Sequence, residues 1–170
     1  MSKLIILRGN SGSGKTTVAT HIAKNTAHKT AVVDADQYRV HMLFPRGECG
    51  PDFEAIMSHN VQYCLEHEYD VLWDSIFYAN AKNKTYLAKF LTELHPMDNF
   101  IFNFDVSIEE TVRRHNFRQK KNDFGPDQMK EWYKPIDDLE YDFEYDFEYR
   151  IPESNTLEQT VDFIRHTAGI

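Results

Sequence analysis

An α/β fold, a five-stranded parallel sheet with helices on both faces, follows from three features of this sequence. Five short apolar or β-prone runs alternate with stretches whose apolar residues recur at helical spacing. Three of those runs end in an aspartate: Asp34, Asp74 and Asp105. The first run leads directly into a glycine-rich loop and then a helix. Right-handed crossovers bring the carboxyl ends of parallel strands to one edge of the sheet. That edge is where open α/β sheets bind ligands.

The first strand is Leu4-Ile5-Ile6-Leu7, short and apolar throughout, as burial on both faces requires. The next segment, Gly9-Asn10-Ser11-Gly12-Ser13-Gly14-Lys15-Thr16, reads G-x-x-x-x-G-K-T and opens a helix at Thr17-Val18-Ala19. This is the phosphate-binding P-loop pattern in its strand–loop–helix setting. Glycines let successive backbone N–H groups turn inward around an anion, and the helix N-terminus adds its positive end. The pattern assigns Gly9, Asn10, Ser11, Gly12, Ser13, Gly14, Lys15, Thr16 and Thr17 to a nucleoside triphosphate. Lys15 reaches the β- and γ-phosphates, and the Thr16 hydroxyl ligates Mg²⁺.

The remaining elements follow in order. Val18, Ala19, Ile22 and Ala23 share a helix face, and Thr30–Val33 is a strand ending at Asp34. Pro45, Gly47, Gly50 and Pro51 mark a loop. Beyond it Phe53, Ile56, Met57, Asn60, Val61, Cys64 and Leu65 line a long amphipathic helix ending near Glu68. Val71-Leu72-Trp73 is a third strand, Leu87, Phe90, Leu91 and Leu94 mark a helix, and Phe100–Phe104 is a fourth strand. Ser107 with Glu110, and Thr156 with Gln159, are spaced as capping boxes that open two further helices. Between them, residues 127–134 suit a short helix. Tyr141 to Tyr149 alternates aromatic and acidic residues at period two, which suits a strand, although a helix is open for its first half. The last strand is placed at Phe147–Ile151.

Composition sets the outer limits. The 170 residues suit one domain, 1–170, and 41% hydrophobic with 27% charged residues is an ordinary globular balance. A net charge of −8 argues against non-specific binding to long nucleic acid, which needs a basic face. Cys49 and Cys64 have no metal or disulfide spacing. No apolar run reaches membrane-spanning length, and Met1-Ser2-Lys3 passes straight into the first strand rather than a signal peptide. A cytoplasmic protein with no membrane partner is expected.

Phosphoryl transfer asks for a metal, cations around the moving group and a carboxylate for the acceptor hydroxyl. Asp36 and Arg39, one helical turn apart past the second strand, can take the acceptor's proton and hold its polar groups. Asp36 equally suits a helix N-cap. Asp74 and Asp34 are candidates to place Mg²⁺ together with Thr16, with a simple turn acid as the other reading of Asp34. Asp105 is more simply explained as shaping the turn into the next helix. Arg113, Arg114, Arg118, Lys120 and Lys121 crowd basic charge into an acidic chain. Arg114 and Arg118, spaced i, i+4, suit a mobile lid over roughly residues 112–126 that stabilises transferring charge. A solvated helix face is the plainer alternative. Tyr38, Phe44, Phe53, Phe77 and Tyr78 could wall a substrate pocket, but core packing or loop anchoring explains them more simply.

With these residues in place the chain resembles the small P-loop kinases, and most closely the kinase domain of phage-type polynucleotide kinase. The likeness is carried by Gly9–Thr16, by the Asp34-x-Asp36-x-x-Arg39 segment, by Phe104-Asp105-Val106, by Arg114-x-x-x-Arg118 and by Met129-x-x-x-Tyr133-Lys134. It reaches to about Lys134. The acidic aromatic segment 137–149 has no counterpart. The resemblance implies a three-layer P-loop NTPase fold with an arginine-bearing lid. It also implies an ATP- and Mg²⁺-dependent kinase with Lys15, Asp36, Arg39, Arg114 and Arg118 as catalytic residues, Asp36 being the general base. ATP is preferred to GTP because Asn83-Lys84-Thr85 is followed by Tyr86, not by the aspartate of a guanine-binding pattern. A small-molecule or nucleoside hydroxyl is the expected acceptor, with an oligonucleotide 5′ end, or a nucleotide-dependent switch without an acceptor, as alternatives.

Overall fold

A parallel sheet runs through the molecule in the order β2-β3-β1-β4-β5. In the computed structural model the residues described are 2–43, 51–78, 80–93, 98–117, 125–134 and 148–170. The strands are β1 (Lys3–Gly9), β2 (Thr30–Asp34), β3 (Asp70–Ser75), β4 (Asp98–Asp105) and β5 (Glu148–Pro152). The helices are α1 (Lys15–Lys24), α2 (Pro51–Glu66), α3 (Ala81–Glu93), α4 (Ile108–His115), α5 (Pro126–Trp132) and α6 (Leu157–Ala168). Every pairing is parallel, so the expected architecture is the one observed. None of the described helices is long and apolar enough to cross a membrane.

β1 is central because its side chains are apolar on both faces. Leu4 and Ile6 pack with Trp73, Met57, Val61 and Leu87 under α2 and α3. Ile5 and Leu7 pack with Val18, Ile22, Val161 and Ile164 under α1 and α6. All four β1 residues are fully buried, each contributing about 1.5–3 kcal/mol against leaving it exposed. Trp73 anchors the first layer, meeting Phe77 and Phe90 edge-on with ring centres 5.1 Å apart in both cases. The second layer closes on α6, whose start is a complete capping box between Thr156 and Gln159.

Arg8 follows this apolar run yet is fully buried. It is tolerated because its Nε donates to the Phe77 carbonyl at 2.9 Å and its guanidinium pairs with Glu148. A buried ion keeps its charge only with such partners. The pair ties the start of β5 to the chain leaving β3.

Several elements depart in detail from expectation. The segment after Asp34 forms a π-helical turn, Gln37–Met42, with the Leu43 N–H bonded to the Tyr38 carbonyl. The Ser107 box is only half made. Ser107 accepts from the Glu110 N–H, but the Glu110 carboxylate is taken by Arg113 and Arg114. α4 closes at His115, and the part of the expected lid at 118–124, with Arg118, Lys120 and Lys121, lies outside the described residues. So do Phe44, the loop residues Pro45 to Gly50 with Cys49, and 137–147 of the acidic aromatic segment.

α2 ends with a non-glycine residue in the left-handed region: Glu68 has φ 65°, and the Tyr69 N–H returns to the Cys64 carbonyl. Glycine is the usual residue at such a helix end, because a Cβ there is strained. Glu68→Gly is therefore expected to raise stability by about 0.5–1 kcal/mol, read as a higher urea midpoint at unchanged slope. A lower midpoint would show that the Glu68 side chain compensates the strain.

Candidate active site

The loop between β1 and α1 needs its glycines for two separable reasons. Gly9, Gly12 and Gly14 have φ of 151°, 87° and 111°, where side chains are disfavoured. A Cβ on Gly9 would lie 2.9 Å from the Phe104 Cβ, and one on Gly12 would lie 3.0 Å from the Met129 Cε. The loop is thus gripped by β4 on one side and α5 on the other. Gly14 is the N-cap of α1 and no side chain caps it, and free first-turn N–H groups are suited to receive an anion.

Lys15 is buried, and its ammonium donates to the carbonyls of Gly9 at 2.7 Å and Asn10 at 3.0 Å. Thr16 donates its hydroxyl to Asp74 Oδ2 at 2.5 Å, while Asp74 Oδ1 lies 4.0 Å from the Lys15 ammonium. Asp74 therefore ties the last two residues of the motif to the end of β3. Its register partners are Leu7 on one side and Asp34 on the other, so the two expected metal acids stand side by side. Among the described residues no three His, Cys, Asp or Glu side chains converge as a metal cage. A two-carboxylate site with a hydroxyl suits Mg²⁺, which keeps waters and takes its remaining ligands from phosphates.

Asp34 accepts the Asp36 N–H at 2.9 Å, shaping the turn out of β2. Asp36 occupies the N-cap position of the π-helical turn but caps nothing with its side chain. Its carboxylate instead receives Arg39 Nη2 at 2.8 Å, and both side chains are nearly half exposed. The Asp36–Arg39 pair is thus formed as the sequence spacing implies. Asp105, by contrast, is turned to Arg150 at 3.0 Å and takes no part in the loop.

Arg114 does something the sequence did not indicate. It donates to Glu110 at 2.7 Å, to the Ser13 carbonyl at 2.7 Å and to the Glu153 carbonyl at 2.9 Å. In this arrangement it braces the loop from α4. Glu110 holds it there, and hydrogen bonds from Arg113 and then Arg114 lower the Glu110 carboxyl from 4.5 to about 2. Behind the brace is a cavity of about 410 Å³, bounded by Gly14, Val18, Val106, Arg114, Asn155 and Thr156. Its size and its mixed polar and apolar lining suit a nucleoside. The glycine motif could not reveal this cavity, because much of its wall comes from segments distant in the chain: α4, the end of β5, and the turn into α6.

Of the aromatics, Tyr38, Phe53 and Phe77 pack on the core. Tyr78 anchors a loop, donating to the Trp132 carbonyl at 2.9 Å. Asn10, only a variable position in the motif, donates to the Lys134 carbonyl at 2.7 Å and accepts the Lys134 N–H at 3.3 Å.

Residues 4–135 match the family described as AAA domain. None of the curated proteins compared matches the chain. The fold is similar to that of the Mycobacterium tuberculosis APS kinase CysC in complex with AMPPNP and APS, with a TM-score of 0.74 and 16% identity over 99% of this chain and 98% of that one. A gluconokinase from Sinorhizobium meliloti 1021 gives 0.68 and 15% over 98% and 94%. The Pnkp1/Rnl/Hen1 RNA repair complex gives 0.56 and 22% over 83% of this chain and 50% of that one. At these identities the likeness is one of fold.

The Glu110 geometry has a pH signature. A carboxyl lowered to about 2 from 4.5 stabilises the fold fully above pH 4.5, and that contribution is lost as pH falls toward 2. Carboxyl NMR titration should place the Glu110 midpoint near 2, with Arg113→Ala raising it most and Arg114→Ala raising it less. An ordinary midpoint in the unaltered protein would show that the brace is not formed.

Proposed function

The chain belongs to the AAA-domain family, and on that premise we propose that it is an ATP-dependent kinase acting on a hydroxyl of a small-molecule or nucleoside-type acceptor. One observation carries the reading. A phosphate loop tied to Asp74 and a solvent-accessible carboxylate, Asp36, paired with a guanidinium stand at the same sheet edge. The first is a donor site and the second an acceptor site. Phosphoryl transfer needs little more than their alignment and charge neutralisation.

The loop N–H groups and the start of α1 hold the triphosphate, and Lys15 exchanges its loop carbonyls for the β- and γ-phosphate oxygens. The cavity beside Gly14 receives the base and ribose. Arg114, held by Glu110, keeps the loop closed against that cavity, and with Arg118 it supplies positive charge around the transferring group. Thr16 and Asp74, with Asp34 adjacent, would hold Mg²⁺, whose charge offsets that of the β- and γ-phosphate oxygens when bound. Asp36 takes the proton of the acceptor hydroxyl as its oxygen attacks, and Arg39 orients both Asp36 and the acceptor. Among the related folds are an APS kinase and a gluconokinase, whose names put small alcohols first among acceptors.

Replacing the base should separate binding from chemistry. Asp36→Asn is expected to lower γ-phosphate transfer by about 10²–10⁴-fold while ATP affinity, followed by calorimetry, stays close to that of the unaltered protein. Full transfer activity in that variant would remove Asp36 from the mechanism.

A further inference from the structure

We propose that Lys134, held over Tyr78, forms an anion-binding part of the acceptor site, and that the acceptor alcohol carries a phosphate, sulfate or carboxylate that docks there. This deepens the kinase reading and rests on it.

Asn10 joins the phosphate loop to Lys134. Its side chain is buried, and both ends of its carboxamide are spent on the backbone of one residue, Lys134, far away in sequence. Two hydrogen bonds of opposite sense fix the direction in which the chain passes the loop at that point. Tyr78 adds a third tie, donating to the Trp132 carbonyl at 2.9 Å and lying 3.5 Å from Asn10 Oδ1. Met129 closes α5 onto Gly12. The phosphate loop thus sets the position of Lys134 directly.

The Lys134 ammonium stands 5.2 Å from the centre of the Tyr78 ring. A cation over a ring face is held in place without losing all its N–H donors. No carboxylate is paired with Lys134 among the described residues, in a chain with 27 acids and 19 lysines and arginines. The charge of Arg39 also reaches Tyr78, lowering its phenol pKa against the larger upward effect of burial. Tyr78 follows Asp74 by four residues, so it stays within about 14 Å of it along the chain. Lys134 therefore lies over an aromatic ring close in the chain to Asp74, within reach of the charge of Arg39. Arg39 shares its charge with Asp36 and Lys134 does not, so Lys134 is the residue that discriminates an anionic acceptor from a neutral one.

The test uses inorganic sulfate as the probe. It is titrated calorimetrically into the protein saturated with AMPPNP and Mg²⁺, so that the phosphate loop is already filled. One further sulfate site is expected, weakened about tenfold or more in Lys134→Ala, recovered in Lys134→Arg, and kept in Asp36→Asn. Transfer of labelled γ-phosphate is then compared within two pairs, a nucleoside 3′-monophosphate against the nucleoside and gluconate against sorbitol. The anionic member of at least one pair should be preferred through KM, with Lys134→Ala erasing the preference. The pair that responds tells a nucleotide phosphate from a sugar-acid carboxylate. Absence of the second sulfate site, or a site indifferent to Lys134→Ala, overturns the proposal, as does equal use of the neutral alcohols. A Lys134-dependent sulfate site in a protein that phosphorylates no alcohol would leave the anion site standing and remove the kinase reading.

Discussion

The bond from Thr16 to Asp74 is the contact on which the rest of the site depends. Asp74 lies within a buried strand, one residue before its end, whose neighbours in register are β1 and β2, so its carboxylate is fixed by the sheet rather than by a loop. Through Thr16 and the nearby Lys15 it fixes the start of α1. From that start the glycine loop runs back to β1, and its packing against Phe104 and Met129 sets where β4 and α5 approach. A buried carboxylate without such donors would be costly. The requirement of one acid for partners therefore organises five separate segments around the glycine loop.

Charge is distributed to match. The chain is acidic overall, yet the residues that face the loop or stand beside Asp36 include Lys15, Arg39, Arg114 and Lys134. Each is held by something specific: loop carbonyls, an adjacent aspartate, a glutamate on the same helix, an aromatic ring. Net charge describes the solvated surface, whereas the site is set by these local arrangements.

Much of the fold was legible in the sequence. Strands buried on both faces must be apolar throughout, and glycines needed at positive φ cannot be replaced freely, so β1 and the loop announce themselves locally. Asp36 with Arg39, and Thr156 with Gln159, are likewise pairs within one turn of each other. What could not be read depends on partners distant in the chain. Arg8 is buried because Phe77 and Glu148 receive it, and Asn10 matters because Lys134 passes beside it. Ser107 and Glu110 have capping-box spacing, but Arg113 and Arg114 compete for the glutamate. A charged pair outbids a neutral backbone N–H. The π-helical turn and the left-handed Glu68 are backbone choices that neither periodicity nor motif encodes.

The central claim is that the site has an acceptor half, not only a nucleotide half. The most direct measurement follows the label of γ-³²P-ATP in a mixture of alcohols, including nucleosides, 5′-hydroxyl oligonucleotides and sugars. The account predicts label bound covalently to an alcohol oxygen, formed faster than inorganic phosphate. Label recovered solely as inorganic phosphate, at a slow rate that the alcohols do not change, would contradict it and identify a nucleotide-dependent switch instead.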